Sequence, residues 1–330
     1  MKLIGGEIHR PGEGLHTYLT DSGRSSLRLI LGSGLKGKKF LLPDFLCKII
    51  PTVFDEMGVE YSYYKVLENL SIDLESTRGK DFDVLYLINY FGNTHDVFDG
   101  RFPETTMFLE DCVFSPVVDA PPGIPHWAGF NSFRKMSFLA DGSLVKSSIR
   151  LNEEMIRKDD APFSHMKYEA KRMKHEYLHS GSFSEEEYLK LFNDAERCVD
   201  AQKTVFSMSG RSLANVLEFY RNMEGEYTAR TRNYQALDRF LGHLKIKIRT
   251  NYYSLYPLWV DHRDELRTYL FSHRVFLPVH WPNSGFQNSL YDHIISVPVD
   301  SRYDESDMER VADLIVRFYS ERSFEAPEVS

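Results

Sequence analysis

The chain has 330 residues, of which 42% are hydrophobic and 27% charged, and its formal net charge is -8. This composition is typical of a globular protein, and the acidic balance argues against a broad nucleic-acid surface, which needs clustered lysine and arginine. No segment approaches the roughly 20 apolar residues of a membrane span, and residues 1–14 have no apolar run of signal-peptide length. We therefore expect neither nucleic acid nor a membrane as a partner.

The cysteines are Cys47, Cys112 and Cys198, which lie far apart and have no CxxC spacing. This arrangement supports neither a disulfide framework nor a cysteine-based zinc site. We expect a protein of the reducing cytoplasm that holds no metal.

The first half of the chain alternates short apolar runs with segments of helical spacing. We predict strands over residues 38–43, 59–66, 83–91 and 106–112, and a helix over 45–58. Strand and helix in alternation, with short links, are typical of a parallel α/β sheet. Polar residues cluster where two of these strands end, which is where such sheets bind ligands.

From about residue 152 the pattern becomes mostly helical, and strands return after 245. We predict helices over 167–181, 182–201, 211–223 and 226–244, then over 262–272 and 305–321. The later strands are predicted over 252–260, 273–281 and 293–300. This organisation predicts a large domain over residues 1–244 and a small α+β domain over 245–330.

The segment TDSGRSSLRLIL, residues 20–31, places small polar residues directly before a helical pattern. The free N–H groups at the start of that helix would point at Ser22 to Ser25, and such an end binds anions, most often phosphate. Arg24 adds positive charge. An ordinary capped helix has the same composition, so both interpretations stay open.

Two adjacent acids, Glu110 and Asp111, end the apolar strand in FLEDCVFS. Neighbours on a strand point to opposite faces, so these two acids cannot share one role. A buried acid needs a cationic partner or it protonates, and a protonated pyridine nitrogen is one such partner. A solvated strand end is the alternative.

In SFRKMSFLADG, residues 132–142, a lysine lies in an otherwise apolar or small stretch. Lys135 would be a useful nucleophile if burial or cationic neighbours lowered its pKa. Arg134 is such a neighbour, and Phe133 and Phe138 are candidates to exclude water. The alternative is a surface lysine whose stem packs on the protein.

The order and spacing of these segments resemble the DegT/StrS-type nucleotide-sugar aminotransferases, which are fold-type-I pyridoxal-phosphate (PLP) enzymes. Besides the lysine loop, four segments in the first half of the chain carry the resemblance: Ser22 to Leu27 is similar to the family's SGTxAL loop, Pro43-Asp44-Phe45 to P-x-[YF], Asn89 to Gly92 to HxYG, and Glu110-Asp111 to ED. In the second half, Arg232-Asn233-Tyr234 is similar to an R-x-N or R-N-x-Y segment. The resemblance extends over roughly residues 15–315.

The resemblance implies a large domain with a mostly parallel sheet of the seven-stranded type, and a small C-terminal α+β domain. It also implies a PLP-dependent aminotransferase that acts on a nucleotide-linked keto-sugar, with glutamate as amino donor. Such enzymes are homodimers with shared active sites.

The resemblance also assigns roles to single residues. Lys135 would form the Schiff base with PLP and move the proton, and Asp111 would pair with the pyridine nitrogen. The phosphate would be held by four residues of one chain, Gly23, Arg24, Ser25 and Ser132, and by Asn233 of the partner. Phe45 would stack on the ring, or Cys47 in another alignment, and the candidates for substrate contact are Tyr90, His280 and Trp281.

Three departures from the family pattern bear on the reaction. Phe114 stands where the family usually has glutamine or histidine, Arg24 replaces the loop threonine, and Ser132 and Lys135 are three residues apart where five is common. Two alternatives to an aminotransferase therefore stay open. One is a PLP-fold enzyme of other chemistry, and the other is a non-catalytic protein of the same fold that serves regulation or binding.

Overall fold

The computed structural model describes residues 14–283 and 285–323. The expectation about a signal peptide concerns residues 1–14, and all but the last of these lie outside the described residues. Within the described part, no helix combines the length and the apolar character needed to cross a bilayer.

Nine strands of the described chain form one sheet. They are β1 (His16–Thr20), β2 (Phe40–Pro43), β3 (Tyr61–Tyr64), β4 (Val84–Ile88), β5 (Met107–Asp111), β6 (Trp127–Phe130), β7 (Ser143–Ser147), β8 (Ile156–Asp160) and β9 (Val205–Ser207). Their order is β3-β2-β4-β5-β6-β7-β1-β9-β8. Strands β1 to β6 run in one direction and β7, β8 and β9 in the other. The predicted, mostly parallel sheet is confirmed, with β9 and β8 extending a seven-stranded arrangement.

Six helices belong to this part of the chain: α1 (Gly23–Gly32), α2 (Ile49–Met57), α3 (Pro162–Ser180), α4 (Glu185–Ala201), α5 (Gly210–Arg221) and α6 (Met223–Leu241). Each predicted helix and strand up to residue 244 is present, with shifted ends. Helix α2 begins four residues later than predicted, which leaves residues 45–48 as a loop. Strands β1, β6, β7, β8 and β9 were not predicted. Each has only three to five residues, and a run of that length shows no clear period by itself.

Helices α3 and α4 form an antiparallel hairpin beside β8 and β9. Ser184 caps α4, with its Oγ accepting from the N–H of Glu187 while the Glu187 carboxylate accepts from the N–H of Ser184. This capping box fixes where α4 begins. The buried face of α4 then packs Ala195 and Val199 into a small apolar cluster, which sets the direction of its polar face.

A second core lies in the C-terminal part. It is built on β10 (Leu255–Trp259), α7 (Arg263–Ser272), β11 (Ile294–Pro298) and α9 (Glu305–Ser323). The short α8 (Leu290–His293) instead packs Leu290 and Tyr291 into the core of the main sheet. Strands β10 and β11 pair antiparallel. Apolar residues of α6 from Tyr234 onward also belong to this core. The boundary at 244/245 stays a prediction.

The strand predicted over residues 273–281 is wrong. That segment follows an irregular path between α7 and α8. Pro278 has no N–H to donate to a sheet, and its carbonyl accepts one bond from the N–H of Ser296. The irregular path carries His280 and Trp281 back toward the main sheet, where Trp281 packs in the apolar core around that sheet.

The two parts of the chain meet closely at Gly92. Its φ is +91° and an added Cβ would lie 2.4 Å from the carbonyl oxygen of Tyr252. Gly100 has a similar φ of +88°, but no described atom lies within 4 Å of the Cβ position. Any residue with a Cβ would therefore be strained at both positions, but only at Gly92 would the Cβ also clash with the backbone.

We predict that Gly92→Ala destabilises the protein more than Gly100→Ala. Positive φ alone should cost Gly100→Ala about 1 kcal/mol, and the clash with backbone should at least double the loss at Gly92. Urea unfolding of both variants measures the difference. Equal losses would mean that the contact between Gly92 and Tyr252 is not tight in solution.

Candidate active site

Strands β1, β4, β5 and β6 all end at the same edge of the sheet, because they run in the same direction. A cavity of ≈ 160 Å³ lies at this edge. Most of the predicted cofactor residues line it, together with others that the sequence did not single out. Besides Gly23, the polar, sulfur-bearing and aromatic residues of its wall are Ser22, Arg24, Cys47, Asp111, Phe130, Ser132, Arg134, Lys135 and Trp281.

Helix α1 points its N-terminus into the cavity. The Oγ of Ser22 accepts from the N–H of Ser25 at 3.2 Å, and the carbonyl of Ser22 accepts from Ser26. The N–H groups of Gly23 and Arg24 have no intrahelical partner, since they belong to the first turn. An added Cβ on Gly23 would lie 3.4 Å from the carbonyl oxygen of Asn131. The helix start is therefore close to the β6 end and offers free donors to an anion.

Asp111 ends β5 and is almost fully buried. The Tyr86 hydroxyl donates to one carboxylate oxygen at 2.9 Å, and the N–H of Val113 donates to the other at 3.1 Å. Burial raises the pKa of Asp111, and the positive charge of Lys135 and these hydrogen bonds oppose that rise. Glu110 faces the other way and accepts from the indole N–H of Trp127 at 2.6 Å, as expected for neighbours on a strand.

Lys135 lies in a short helical turn, Phe133–Lys135, directly after β6. The side chain of Lys135 is exposed to the open space of the cavity that it lines. Its amine is nevertheless surrounded by protein atoms. Loss of solvation therefore lowers the pKa of Lys135, Asp111 opposes this shift, and Arg134 and Arg24 add to it. A lysine whose pKa is lowered has a larger fraction of neutral, nucleophilic amine near pH 7.

The ring next to the lysine amine is Phe114. The Nζ of Lys135 lies 4.8 Å from its centroid. We expected Phe133 and Phe138 to exclude water from the lysine, but neither ring lies next to the Lys135 amine. Phe133 packs under α5 against Phe219, and Phe138 is 48% exposed. That expectation was wrong because the helical turn directs neighbouring side chains away from one another.

His280 packs on the same ring, with 5.4 Å between the centroids of Phe114 and His280. Its Nδ1 lies 3.3 Å from the Ser296 hydroxyl. Burial, with the charge of Lys135 as a smaller cause, lowers the pKa of His280 to about 3. The imidazole is therefore neutral around pH 7.

The C-terminal turn of α4 forms one wall of the cavity, with Val199 among the lining residues. On either side of Val199, Asp200 pairs with Arg24 at 2.6 Å and Glu196 pairs with Arg134 at 3.1 Å. Each of the two cavity arginines thus has a carboxylate partner on α4. The sequence did not indicate these partners, because they lie more than 60 residues from either arginine.

Five predicted residues do not line the cavity, namely Ser25, Phe45, Tyr90, His280 and Asn233. Ser25 is buried within α1, where it caps the helix with Ser22. Phe45 is buried among the rings of Tyr90, Trp281 and Tyr291. Cys47, the alternative to Phe45 for the ring face, does line the cavity. Tyr90 is also buried, and its hydroxyl donates to the Phe45 carbonyl.

Asn233 lies on α6, fully buried in the second core. Its amide nitrogen donates to the carbonyl oxygens of Val299, Asp300 and Tyr303 at 2.9–3.3 Å. A role in binding a partner's phosphate stays a prediction, and these bonds argue against it because they occupy the donor that the role requires.

The sequence contains one HExxH segment, His175 to His179 on α3, a spacing that binds zinc in metalloproteases. The two imidazoles are 4.1 Å apart, His179 Nδ1 contacts the His175 carbonyl, and Glu176 pairs with Arg172. Among the described residues, no group of three or more histidine, cysteine, aspartate or glutamate side chains is arranged to hold a metal ion.

The cavity fits PLP in its chemistry. It offers an amine at Lys135, a buried carboxylate at Asp111 for a pyridine nitrogen, and free N–H groups with Arg24 and Ser132 for a phosphate. These three kinds of group line one cavity, as one ligand with three matching functions requires. Tyr86, which fixes Asp111, is the supporting residue that sequence reasoning missed, although a tyrosine inside the apolar run of β4 was a visible signal.

The fold is shared with solved aminotransferases. A DegT DnrJ EryC1 StrS aminotransferase from Brucella abortus matches 92% of this chain and 86% of its own at 16% identity and a TM-score of 0.62. DesV from S. venezuelae matches 92% and 84% at 15% identity and 0.62. The putative sugar aminotransferase Spr1654 from Streptococcus pneumoniae, in its PLP form, matches 90% and 85% at 13% identity and 0.63. No protein-family model and no curated protein sequence matches the chain. The predicted fold class, fold type I, is confirmed.

We predict that His280→Gln weakens the acid sensitivity of the fold. The unfolded chain binds a proton at this residue below the ordinary pKa of 6.5, whereas the folded chain does not until about 3. Unfolding is therefore favoured as pH falls below 6.5, by up to about 1.4 kcal/mol per pH unit from this one group.

Urea unfolding between pH 7 and pH 5 tests this expectation. The difference in stability between His280→Gln and the parent should move in favour of the variant as pH falls. The matched control is His126→Gln, which makes the same substitution at an exposed histidine. A flat difference for both variants would contradict a buried, neutral His280.

Proposed function

We propose that this chain is a PLP-dependent aminotransferase that acts on a nucleotide-linked keto-sugar, with glutamate as amino donor. The observation that supports it is the single cavity in which Lys135, Asp111 and the N-terminus of α1 meet. The shared fold with solved sugar aminotransferases supports the same class of reaction. Fold similarity alone would be weak support, because one fold hosts many activities.

When bound, PLP supplies an electron sink that stabilises negative charge at the substrate carbon. In this chain Lys135 Nζ is the group that would hold the cofactor and then carry a proton on and off the substrate carbon. Its lowered pKa suits both roles, because a general base works best when its pKa is near the working pH.

Asp111 would hold the proton on the ring nitrogen. Its two oxygens are fixed by Tyr86 and Val113, so the carboxylate is oriented before a ligand arrives. The N–H groups of Gly23 and Arg24, with the side chains of Arg24 and Ser132, would bind the phosphate. Phe114, Trp281 and Val199 would keep water from the lysine amine.

Phe114 favours a second candidate, a PLP enzyme of other chemistry. It places an apolar ring 4.8 Å from the Lys135 amine, where the resembling family has a polar side chain. His280, from the segment between α7 and α8, packs against the Phe114 ring. A polar side chain is therefore present close to Phe114, although it comes from another part of the chain. The reaction then depends on which of these groups contacts the substrate, and His280 and Trp281 are our candidates.

The proposed assembly is a homodimer of the cytoplasm. Helix α5 exposes Leu213, Leu217 and Tyr220 on one face, with 49%, 62% and 38% of their surfaces open. An apolar helical face of this kind is typical of a buried interface. The described cysteines are all free thiols, which suits a reducing compartment.

We predict that the purified protein with PLP shows a reducible linkage at Lys135. Borohydride treatment and peptide mapping should find pyridoxyl on Lys135, and Lys135→Ala should lose the label and at least roughly 100-fold in turnover. Lys146→Ala, a surface lysine paired with Asp119, is the control. A label that persists in Lys135→Ala would show that the assignment is wrong.

The same preparation distinguishes the alternatives when glutamate is added. Conversion of the bound cofactor to its pyridoxamine form supports an aminotransferase. PLP binding without conversion by any amino donor supports other chemistry, and failure to bind PLP supports a non-catalytic protein.

We also predict that Leu217→Glu separates the dimer. Light scattering should give a dimer for the parent and a monomer for the variant, because a charge in an apolar interface is costly. Glu218→Gln, on the next residue of the same helix, should leave the dimer intact. A monomeric parent with full activity would contradict the proposed assembly.

A further inference from the structure

A cluster of three charges lies behind the lysine wall of the cavity. The Glu196 carboxylate contacts Arg134 Nη2 with both oxygens, at 3.1 and 3.3 Å, and also pairs with the Lys167 ammonium. Lys167 is only 6% exposed. The guanidinium of Arg134 also lies 5.5 Å from the centroid of the Phe163 ring, so packing and ion pairing both fix its position.

The two cations of this cluster depend on one carboxylate. Burial lowers the pKa of Lys167, Glu196 opposes that shift, and Arg134 adds to it. Burial would raise the pKa of Glu196, yet Arg134 and Lys167 together hold it below its usual range. The net charge of the cluster is therefore +1, and it would be +2 without Glu196.

Arg134 connects this cluster to the reactive amine. It is the sequence neighbour of Lys135, and both side chains line the same cavity. The positive potential at the Lys135 amine thus depends on how far Glu196 neutralises the residues behind it, since charges in a poorly solvated region act on one another strongly.

We propose that Glu196 is a positioning residue for Lys135: by pairing with Arg134 and Lys167, it limits the positive charge at the cavity wall and keeps the Lys135 amine from losing its proton too readily. The proposal rests on the role of Lys135 in the proposed function. It adds α4 to the elements that control that role.

Other charged groups also face these residues. Lys135 is influenced by Asp111 from β5, Cys47 from the loop before α2, Arg24 from α1 and His280 from the C-terminal part. On α3, Lys171 lies near Arg134 and Lys167 and donates to the carbonyls of Phe138 and Leu139. None of these groups is changed by substitution at Glu196 or Arg134, so comparing variants isolates the cluster.

The test measures the ionisation of Lys135 in the protein without added cofactor. Trace acetic anhydride labels neutral amines, and mass spectrometry of the Lys135 peptide at a series of pH values gives the midpoint for that residue. Glu196→Gln should lower the midpoint by roughly half to one pH unit, and Arg134→Gln should raise it. The double variant should return close to the parent, because the two changes in charge cancel.

The opposite directions distinguish control of charge from a disturbed structure, which would move both variants the same way. Glu196→Asp keeps the charge and should keep the midpoint. If Glu196→Gln unfolds, comparison of Arg134→Gln with Glu196→Asp still tests the proposal, because only Arg134→Gln should raise the midpoint. Asp194→Asn removes an equal charge from α4 at a residue paired with Arg197 and should leave the midpoint unchanged. Shifts in the same direction for Glu196→Gln and Arg134→Gln, or none for Glu196→Gln, would overturn the proposal. Failure to bind PLP would overturn the proposed function and leave this measurement intact.

Discussion

The site depends on keeping one carboxylate, Asp111, ionised at a buried strand end. Burying a charge without partners costs far more than a domain can spare. Here the Tyr86 hydroxyl and the Val113 N–H satisfy the two oxygens, and Lys135 supplies the opposite charge. The lysine is held in turn by a helical turn that follows β6. The parallel order of β4, β5 and β6 is what brings all of these groups to one edge.

The site residues that could be predicted from the sequence are those whose placement depends on near neighbours in the chain. A cap before a helix identified Ser22 to Arg24, and alternation along a strand separated Asp111 from Glu110, because both rules involve near neighbours. What the sequence could not supply came from distant parts of the chain. Phe114 reaches the lysine amine only after β5 and β6 pair. Asn233 has a suitable motif, yet the folding of the C-terminal part takes up its amide.

Ion pairs with α4 stabilise the mostly cationic wall of the cavity. Arg24 and Arg134 would repel one another and Lys135 if each were unpaired. The acids of α4 lie one helical turn apart, so one helix face reaches both arginines. The capping box at Ser184 and the apolar contacts of Val199 decide where that face points. Helix α4 therefore both stabilises the arginines of the cavity wall and influences the charge around Lys135.

The length of α6 has a consequence for motion. Its second half belongs to the C-terminal core through Tyr234 and Leu237, and Arg230 donates to the Ser254 carbonyl at 2.7 Å. The C-terminal part must therefore carry this half of α6 with it in any rigid-body rotation. The first break in the helical backbone before Arg230 lies at Asn222, which ends α5 and begins α6. A rotation about Asn222 would have to pull Trp281 out of the core of the main sheet, in which it packs, so this contact restrains the rotation.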